Sequence, residues 1–364
     1  MGTVRVEWTT DITRLAALEG AWRELEMAVQ HRTHVSTFDF LYPWYRHYAG
    51  DYGGMPLVGA AWEGDRLVGV APLTRRRGTL GRIPVTRVDF APNDSIAGEF
   101  LLPDDRPEIA AAFIESLSAQ PRFDVICLNG FDAASPLLPA LESAAHVHRF
   151  SIEHEAHAFA MVDLRNGYEA YWKGLTGDTR RKLNHRARKI RSLGAAVAGA
   201  LPAHTVADAE DSLVRLIAIT EASYKLQGRH LARHHRDFLA ELVRRFASRG
   251  MLSLPILTIG GRDAAFILGV IDRGCFYDVT LSYDESFAPL GPGMYLMQET
   301  LKQFADAGIH TVISHGAHEY KRTWSTAFIA QRRLFLFPPR PRAAATRLVR
   351  FGLQPLWRRV GAAA

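Results

Sequence analysis

Residues 282–308, SYDESFAPLGPGMYLMQETLKQFADAG, set two prolines and two glycines directly ahead of an amphipathic helical pattern. A plain loop needs one breaker. A strand that runs into Pro289-Leu290-Gly291-Pro292-Gly293 and then into a helix is either a tight turn or a backbone surface that an anion approaches closely. In the second case the free N–H groups of Gly291, Gly293, Met294 and Tyr295, at the positive end of the helix dipole, are the donors, because Pro292 has none. A few residues earlier Asp278 interrupts the apolar pattern CFYDVTL, on the strand face opposite Tyr277. A carboxylate there is costly unless it is paired. Downstream, Tyr320-Lys321 puts a phenol beside an ammonium. His230 and His234 stand four apart with His235 adjacent, but no carboxylate falls at ligand spacing, so no metal is expected.

The elements that must position these groups come from a chain of 364 residues, 48% hydrophobic and 23% charged, long enough for two or three domains. The net charge of +6 is concentrated. Six arginines and no acid lie between Pro338 and Ala364, and residues 173–191 carry eight Lys or Arg against one Asp. Two local patches argue for local anion contacts rather than a general nucleic-acid binder. Cys127 and Cys275 sit in apolar strand-like runs and read as buried thiols. The start MGTVRVEWTTD lacks an apolar signal core and no run of 18 apolar residues occurs, so a cytoplasmic protein is expected.

Two αβ units and a tail emerge from the periodicity: 1–157, 158–337 and 338–364. The first unit shows an amphipathic helix with Leu15, Leu18, Trp22 and Leu25 on one face and an aromatic helix broken near Pro43. A hairpin turning at Gly64-Asp65, a helix after Arg106, the strand FDVICLNGF and a helix at ASPLLPALESA follow. The second unit opens with a basic helix from about Thr179 to Leu193, capped by Asp178 and stopped at Gly194. Two further helices, a three-stranded meander, the helix after Gly293, a strand at GIHTVISHG, a short helix at EYKRTWST and the strand AQRRLFLFP complete it. This order defines an α/β chain with a mixed, α+β-type sheet. In the tail, ATRLVRFGLQPLWRRV forms a basic amphipathic pattern interrupted by Gly352 and Pro355.

The segment CFYDVTLSYDESFAPLGPGMYLMQETLKQFADAGIHTVISHGAHEYKRTW resembles the acyltransferase half of the GNAT superfamily. It is most similar to the double-GNAT, CelD-like or BioF2-like acetyltransferases, relatives of the FemABX peptidyltransferases. The marks are the glycine turn opening a long helix, the strand after it, and a Gly-x-x-x-Tyr-Lys-x-x-Trp segment at Gly316, Tyr320, Lys321 and Trp324. The basic helix RRKLNHRARKIRSLG, the LVGVAPL hairpin and DVICLNG extend the likeness over residues 5–337. Two acids common in such proteins are missing: HTVISHG has none, and Ala317 follows the glycine.

The resemblance implies tandem GNAT-like units in a FemABX-like arrangement, the first degenerate and the second catalytic. It implies an N-acyltransferase that moves an acyl group from acetyl-CoA or another acyl-CoA to an amine, such as an amino sugar or a polysaccharide or natural-product intermediate. It also implies that Tyr320 protonates the departing thiolate and that Lys321 supplies positive charge at the transfer centre. Attack by an amine needs a base, for which Asp278, Tyr283, Asp284 and Glu221 are candidates. Arg180 and Arg181 on the basic helix, Glu221, Tyr283 and Asp94 are candidate substrate contacts. Two alternatives stand beside this reading. One is an aminoacyl-tRNA-dependent transferase, favoured by the basic helix, although no coiled-coil arm is visible. The other is a non-catalytic accessory of surface-polymer assembly, docked through its basic tail at the inner face of a membrane.

Overall fold

The computed structural model describes residues 4–353 apart from 31, 51–52, 93–97, 121–122, 203–204 and 227. Asp94 and the tail beyond residue 353 therefore lie outside the described residues. The chain divides into two units, Met1–His157 with Ala330–Ala364, and Ala158–Ile329. The sequence pattern alone placed the strand AQRRLFLFP wholly in the second unit, but from Ala330 it belongs to the first.

In the first unit, β1 (Arg5–Thr9), α1 (Ile12–Ala17), α2 (Glu19–Ala28) and α3 (Phe38–Tyr48) precede the meander β2 (Met55–Glu63), β3 (Arg66–Leu80) and β4 (Ile83–Phe90). Then come α4 (Pro107–Ser118), β5 (Val125–Asp132), α5 (Leu137–Val147) and β6 (Ser151–Asp163), which leads into the second unit. The expected first helix is two helices that meet at Leu18. Pro43 does not break α3, which continues through it with Phe38–Leu41 and Pro43–Tyr45 buried; packing of an almost wholly apolar face outweighs one missing hydrogen bond.

The second unit contains α6 (Gly167–Gly174), α7 (Gly177–Arg191), β7 (Ala195–Ala198), α8 (Val206–Glu221), α9 (Arg233–Ser248), β8 (Leu252–Ser253), β9 (Ile256–Ile259), β10 (Arg262–Asp272), β11 (Cys275–Tyr283), α10 (Pro292–Asp306) and β12 (Thr311–Ser314). β13 (Ala327–Phe337) and α11 (Pro341–Arg347) return to the first unit. The cap of α7 is Thr176, whose hydroxyl accepts from Thr179 N–H at 3.2 Å; Asp178 instead sits in the first helical turn. Gly194 does end the segment, at φ +73°.

Each unit builds the same core motif. β2, β3 and β4 form an antiparallel meander, and β4 then pairs in parallel with β5 across the α4 crossover. β9, β10 and β11 repeat the meander, and β11 pairs in parallel with β12 across α10. A parallel pair needs such a crossover, and the helix covers one sheet face. Leu296, Leu301 and Phe304 of α10 pack on Phe276 and Val312 in the second core, and Ile109, Phe113 and Leu117 of α4 pack on Val88 and Ile126 in the first.

The four described tail arginines have partners within the first unit. Arg347 pairs with Glu153 at 2.7 Å, Arg350 with Glu155, and Arg342 with Asp124 at 3.3 Å, while Arg340 donates to the Phe123 carbonyl at 3.2 Å. Three of these four arginines thus have an intramolecular acid as partner. No helix among the described residues is long and apolar enough to cross a membrane.

Candidate active site

The second parallel pair opens partway along its length. β11 and β12 are in register from Cys275/Thr311 to Asp278/Ser314, where β12 ends. β11 continues to Tyr283, so among the described residues its edge from Val279 onward has no strand on the β12 side. On its other side β11 bulges: Leu268 pairs with Thr280 but Gly269 pairs with Asp278, which leaves Val279 unmatched. Gly269 is required there, because a Cβ would stand 2.2 Å from the Phe276 ring.

The last register pair holds a buried polar network. Ser314, fully buried, donates to Asp278 Oδ2 at 2.5 Å, and Lys321 Nζ donates to Ser314 Oγ at 2.8 Å and to the His315 carbonyl. Asp278 Oδ1 is closed to solvent and accepts from no described group. A buried orphan oxygen calls for a reason, and a catalytic site is one. Burial pushes the Asp278 carboxyl above its ordinary value, against the Ser314 hydrogen bond and the charges of Lys321 and Lys225. Burial likewise lowers Lys321 and Lys225, and nearby Asp278 opposes it in both. Tyr320 is 54% exposed, and partial desolvation, with Asp278 and Tyr224 behind it, pushes its phenol up to about 12. It therefore stays protonated at neutral pH.

His315 follows Ser314, stands edge-on to Phe159 at 4.8 Å, and is pushed down to about 4 by burial and by Lys321. A histidine held neutral by the fold contributes stability above its unfolded value of 6.5 that is lost as pH falls through about 4. Unfolding free energy measured in urea is expected to decline over that window, and His315→Asn is expected to flatten the decline. An unchanged slope in the variant assigns the acid sensitivity to other groups.

The glycine turn takes a form that the sequence did not reveal. Glu285–Leu290 is one 3-10 turn capped by Asp284, which accepts from Ser286 N–H at 2.8 Å, and Gly291 follows at φ +62°. Gly291 N–H donates to the Ala288 carbonyl at 3.0 Å and Tyr295 N–H to the Gly291 carbonyl at 3.4 Å, so neither is open to an anion. Tyr295 is a core side chain, 6% exposed. The open donors of the expected four are Gly293 and Met294, in the first turn of α10, where no preceding helical carbonyl reaches them. Arg186 of α7 completes the cradle: a Cβ on Gly291 would lie 2.6 Å from its Nε. No carboxylate lies within ion-pair distance of Arg186 among the described residues. It also lines a pocket of about 210 Å³ with Tyr168, Trp172 and Lys302.

The other sequence candidates fall elsewhere. Glu221 accepts from Leu231 N–H at 2.9 Å and pairs with Arg236 and with His230 at 3.2 Å, and the Leu231 bond is the first cause holding its carboxyl below the usual range. It braces the connection between α8 and α9, and its lowered proton affinity makes it a weaker base than Asp278. Asp284 is a turn cap. Arg181 is tied to Asp178 at 2.5 Å and Arg180 shares its helix; neither bonds to the Asp278 network. Tyr283 stands at the end of the open edge against Tyr224, 6.3 Å between rings. Ser314, Arg186 and Lys225 were not singled out from the sequence. Ser314 carried one usable signal: it lies in HTVISHG, the strand in which the resemblance expects an acid and none is present.

The first unit repeats the register but not the site. Its last parallel pair is Asp89/Cys127. Asp89, fully buried, is neutralised by Arg76 at 2.8 Å and Arg87 at 2.7 Å, and burial pushes the Cys127 thiol up to about 12. The start of α4 has Pro107 and Glu108 in place of an open glycine, with Arg106 held by Glu63 at 2.6 Å and by Glu108. This helix start has no glycine, and its one cation, Arg106, is already paired. Asp89→Asn is expected to cost roughly 3 kcal/mol by stranding two arginines, seen as a lower urea midpoint, with turnover per folded molecule unchanged.

The model of the acetyltransferase (GNAT) domain family matches residues 177–322, and this part of the chain is a GNAT domain. The whole chain has the tandem, FemX-like fold. The crystal structure of FemX aligns over 90% of this chain and 96% of its own, with TM-score 0.56 and 10% identity. L-PGS from Bacillus licheniformis aligns over 93% and 97%, TM-score 0.56, 12% identity. The C-terminal domain of a putative lysylphosphatidylglycerol synthetase from Agrobacterium fabrum aligns over 93% and 98%, TM-score 0.55, 14% identity. A search of curated protein sequences returns no match.

Proposed function

We propose that the second unit transfers an acyl group from acyl-CoA to an amine. The observation that carries this reading is the opened β11/β12 pair, with the Asp278–Ser314–Lys321 network at its apex and the Gly291–Met294 cradle at its far end. The N–H groups of Gly293 and Met294, with Arg186, suit a pyrophosphate. The open edge of β11 suits the extended chain that links it to the thioester. The acceptor enters as the neutral amine, and Asp278, with its raised proton affinity, takes the one proton its nitrogen sheds as the amide forms. The amine nitrogen bonds to the thioester carbonyl carbon, and the open strand backbone and Lys321 face the oxyanion. The carbon–sulfur bond then breaks, and Tyr320 supplies the proton to the thiolate. The acceptor class that the resemblance favours is an amino sugar or a related intermediate.

The exposed basic face of α7, with Arg181, Lys182, Arg188 and Lys189, favours a second reading, in which the donor is an aminoacyl-tRNA. Thermal unfolding separates the two. Acetyl-CoA and longer acyl-CoAs are expected to raise the melting temperature by mass action. Stabilisation by aminoacyl-tRNA and by no CoA thioester overturns the first reading.

A further inference from the structure

Beyond naming a reaction, the cleft carries a feature that bears on what its acceptor looks like. Ile267 N–H donates to the Pro255 carbonyl at 3.0 Å, on the far side of β10. Ile267/Leu281 is therefore a non-hydrogen-bonded pair, and the Leu281 peptide groups point away from β10 into the edge that β12 leaves open. Lys225 Nζ, from the turn after α8, donates to that Leu281 carbonyl at 3.2 Å. An ammonium thus stands in the opened cleft, three residues along β11 from the candidate base. It uses one of three donors there, and among the described residues no carboxylate lies within 4 Å of it. Lys321 is different: two of its donors are committed to Ser314 and the His315 carbonyl. Among the described residues Asp278 is the carboxylate whose charge reaches both ammonium groups, so two cations share one counter-charge. The exposed rings of Tyr224 and Tyr320, 55% and 54% exposed, add polar tips but no compensating anion.

We propose that Lys225 binds an anionic group of the acceptor, so that the acceptor is an amine bearing a carboxylate or phosphate close to the reacting nitrogen. This rests on the acyl-transfer reading above. The anion would supply a second counter-charge, and the amine would bring a donor towards Asp278, whose Oδ1 lacks one. Lys225 is then a specificity residue on the acceptor side.

The test uses paired probes that differ in the acid alone: glucosamine with glucosamine 6-phosphate, and ethylamine with glycine. In thermal unfolding of the full chain, the acidic member of at least one pair is expected to stabilise the wild type more than its neutral partner. That difference is expected to vanish in Lys225→Met and to return in Lys225→Arg. In turnover, read as free thiol released from acetyl-CoA, Lys225→Met is expected to raise KM for the acidic acceptor roughly tenfold, one lost charged contact, with kcat within about twofold. The proposal is overturned if acidic and neutral probes stabilise equally, or if Lys225→Met leaves their difference intact. It is also overturned if the Lys225 dependence appears instead as a preference for succinyl-CoA over acetyl-CoA, which puts the acid on the donor. Failure of acetyl-CoA itself to stabilise the wild type strikes the acyl-CoA reading, while the acceptor pairs still report on Lys225.

Discussion

Asp278→Asn is expected to lower kcat/KM for acyl transfer by roughly 10² to 10⁴, the range over which a positioned general base contributes. The size follows from its place: one carboxylate oxygen is fixed by Ser314, the other has no partner, and the residue stands where the parallel pair opens. Burial raises its folded proton affinity above that of an unfolded aspartate. The sign follows: the neutral form is favoured by the fold, so this contribution to stability is present at low pH and is lost as pH rises through the folded value. Asparagine is neutral throughout. The variant is therefore expected to melt at or above the wild-type temperature at pH 8 while losing turnover. In the wild type, kcat/KM is expected to rise with pH as Asp278 ionises, and this limb is expected to disappear in the variant. Stopped turnover over pH 5–9 with matched melting curves checks it. Full activity with the pH limb retained removes Asp278 as the base.

Arg186→Glu is expected to weaken acyl-CoA binding by roughly a hundredfold, about 2.7 kcal/mol, seen as a raised KM for the donor and the loss of CoA-dependent thermal stabilisation. Among the described residues the guanidinium lies against the Gly291 turn without an acidic partner, so in the proposed reading reversal both removes a charge-assisted contact and sets a carboxylate where the anion would bind. Arg186 is only partly buried, so the fold should tolerate the change. Equal losses in Arg181→Glu, which reverses a charge already paired with Asp178, point to the field of the whole helix. An effect confined to Arg186 marks a local cradle.

Local patterns made much of this legible. Apolar alternation marked β10 and β11, the i, i+4, i+7 spacing of Leu183, Ala187 and Ile190 marked α7, and Gly64-Asp65 marked the hairpin turn, because these signals depend on neighbours within a few residues. The Thr176 cap escaped notice because Asp178 is an equally good capping type two residues on. Continuity of α3 through Pro43 escaped notice because the compensation comes from tertiary burial.

The sequence by itself determined the αβ order, the two-unit plan, the glycine-opened helix start and the presence of a carboxylate in an apolar strand. Each is written in spacing and residue type. Only the tertiary structure decided which groups meet. Asp278 and Ser314 are 36 residues apart in the chain and become neighbours through parallel register. Arg186 and Lys225 reach the turn and the open strand edge from other elements, Glu221 is diverted to brace a loop, and Asp89 is neutralised where Asp278 is not. A register or a side-chain partner is a long-range relation, and composition and periodicity record only what lies nearby along the chain.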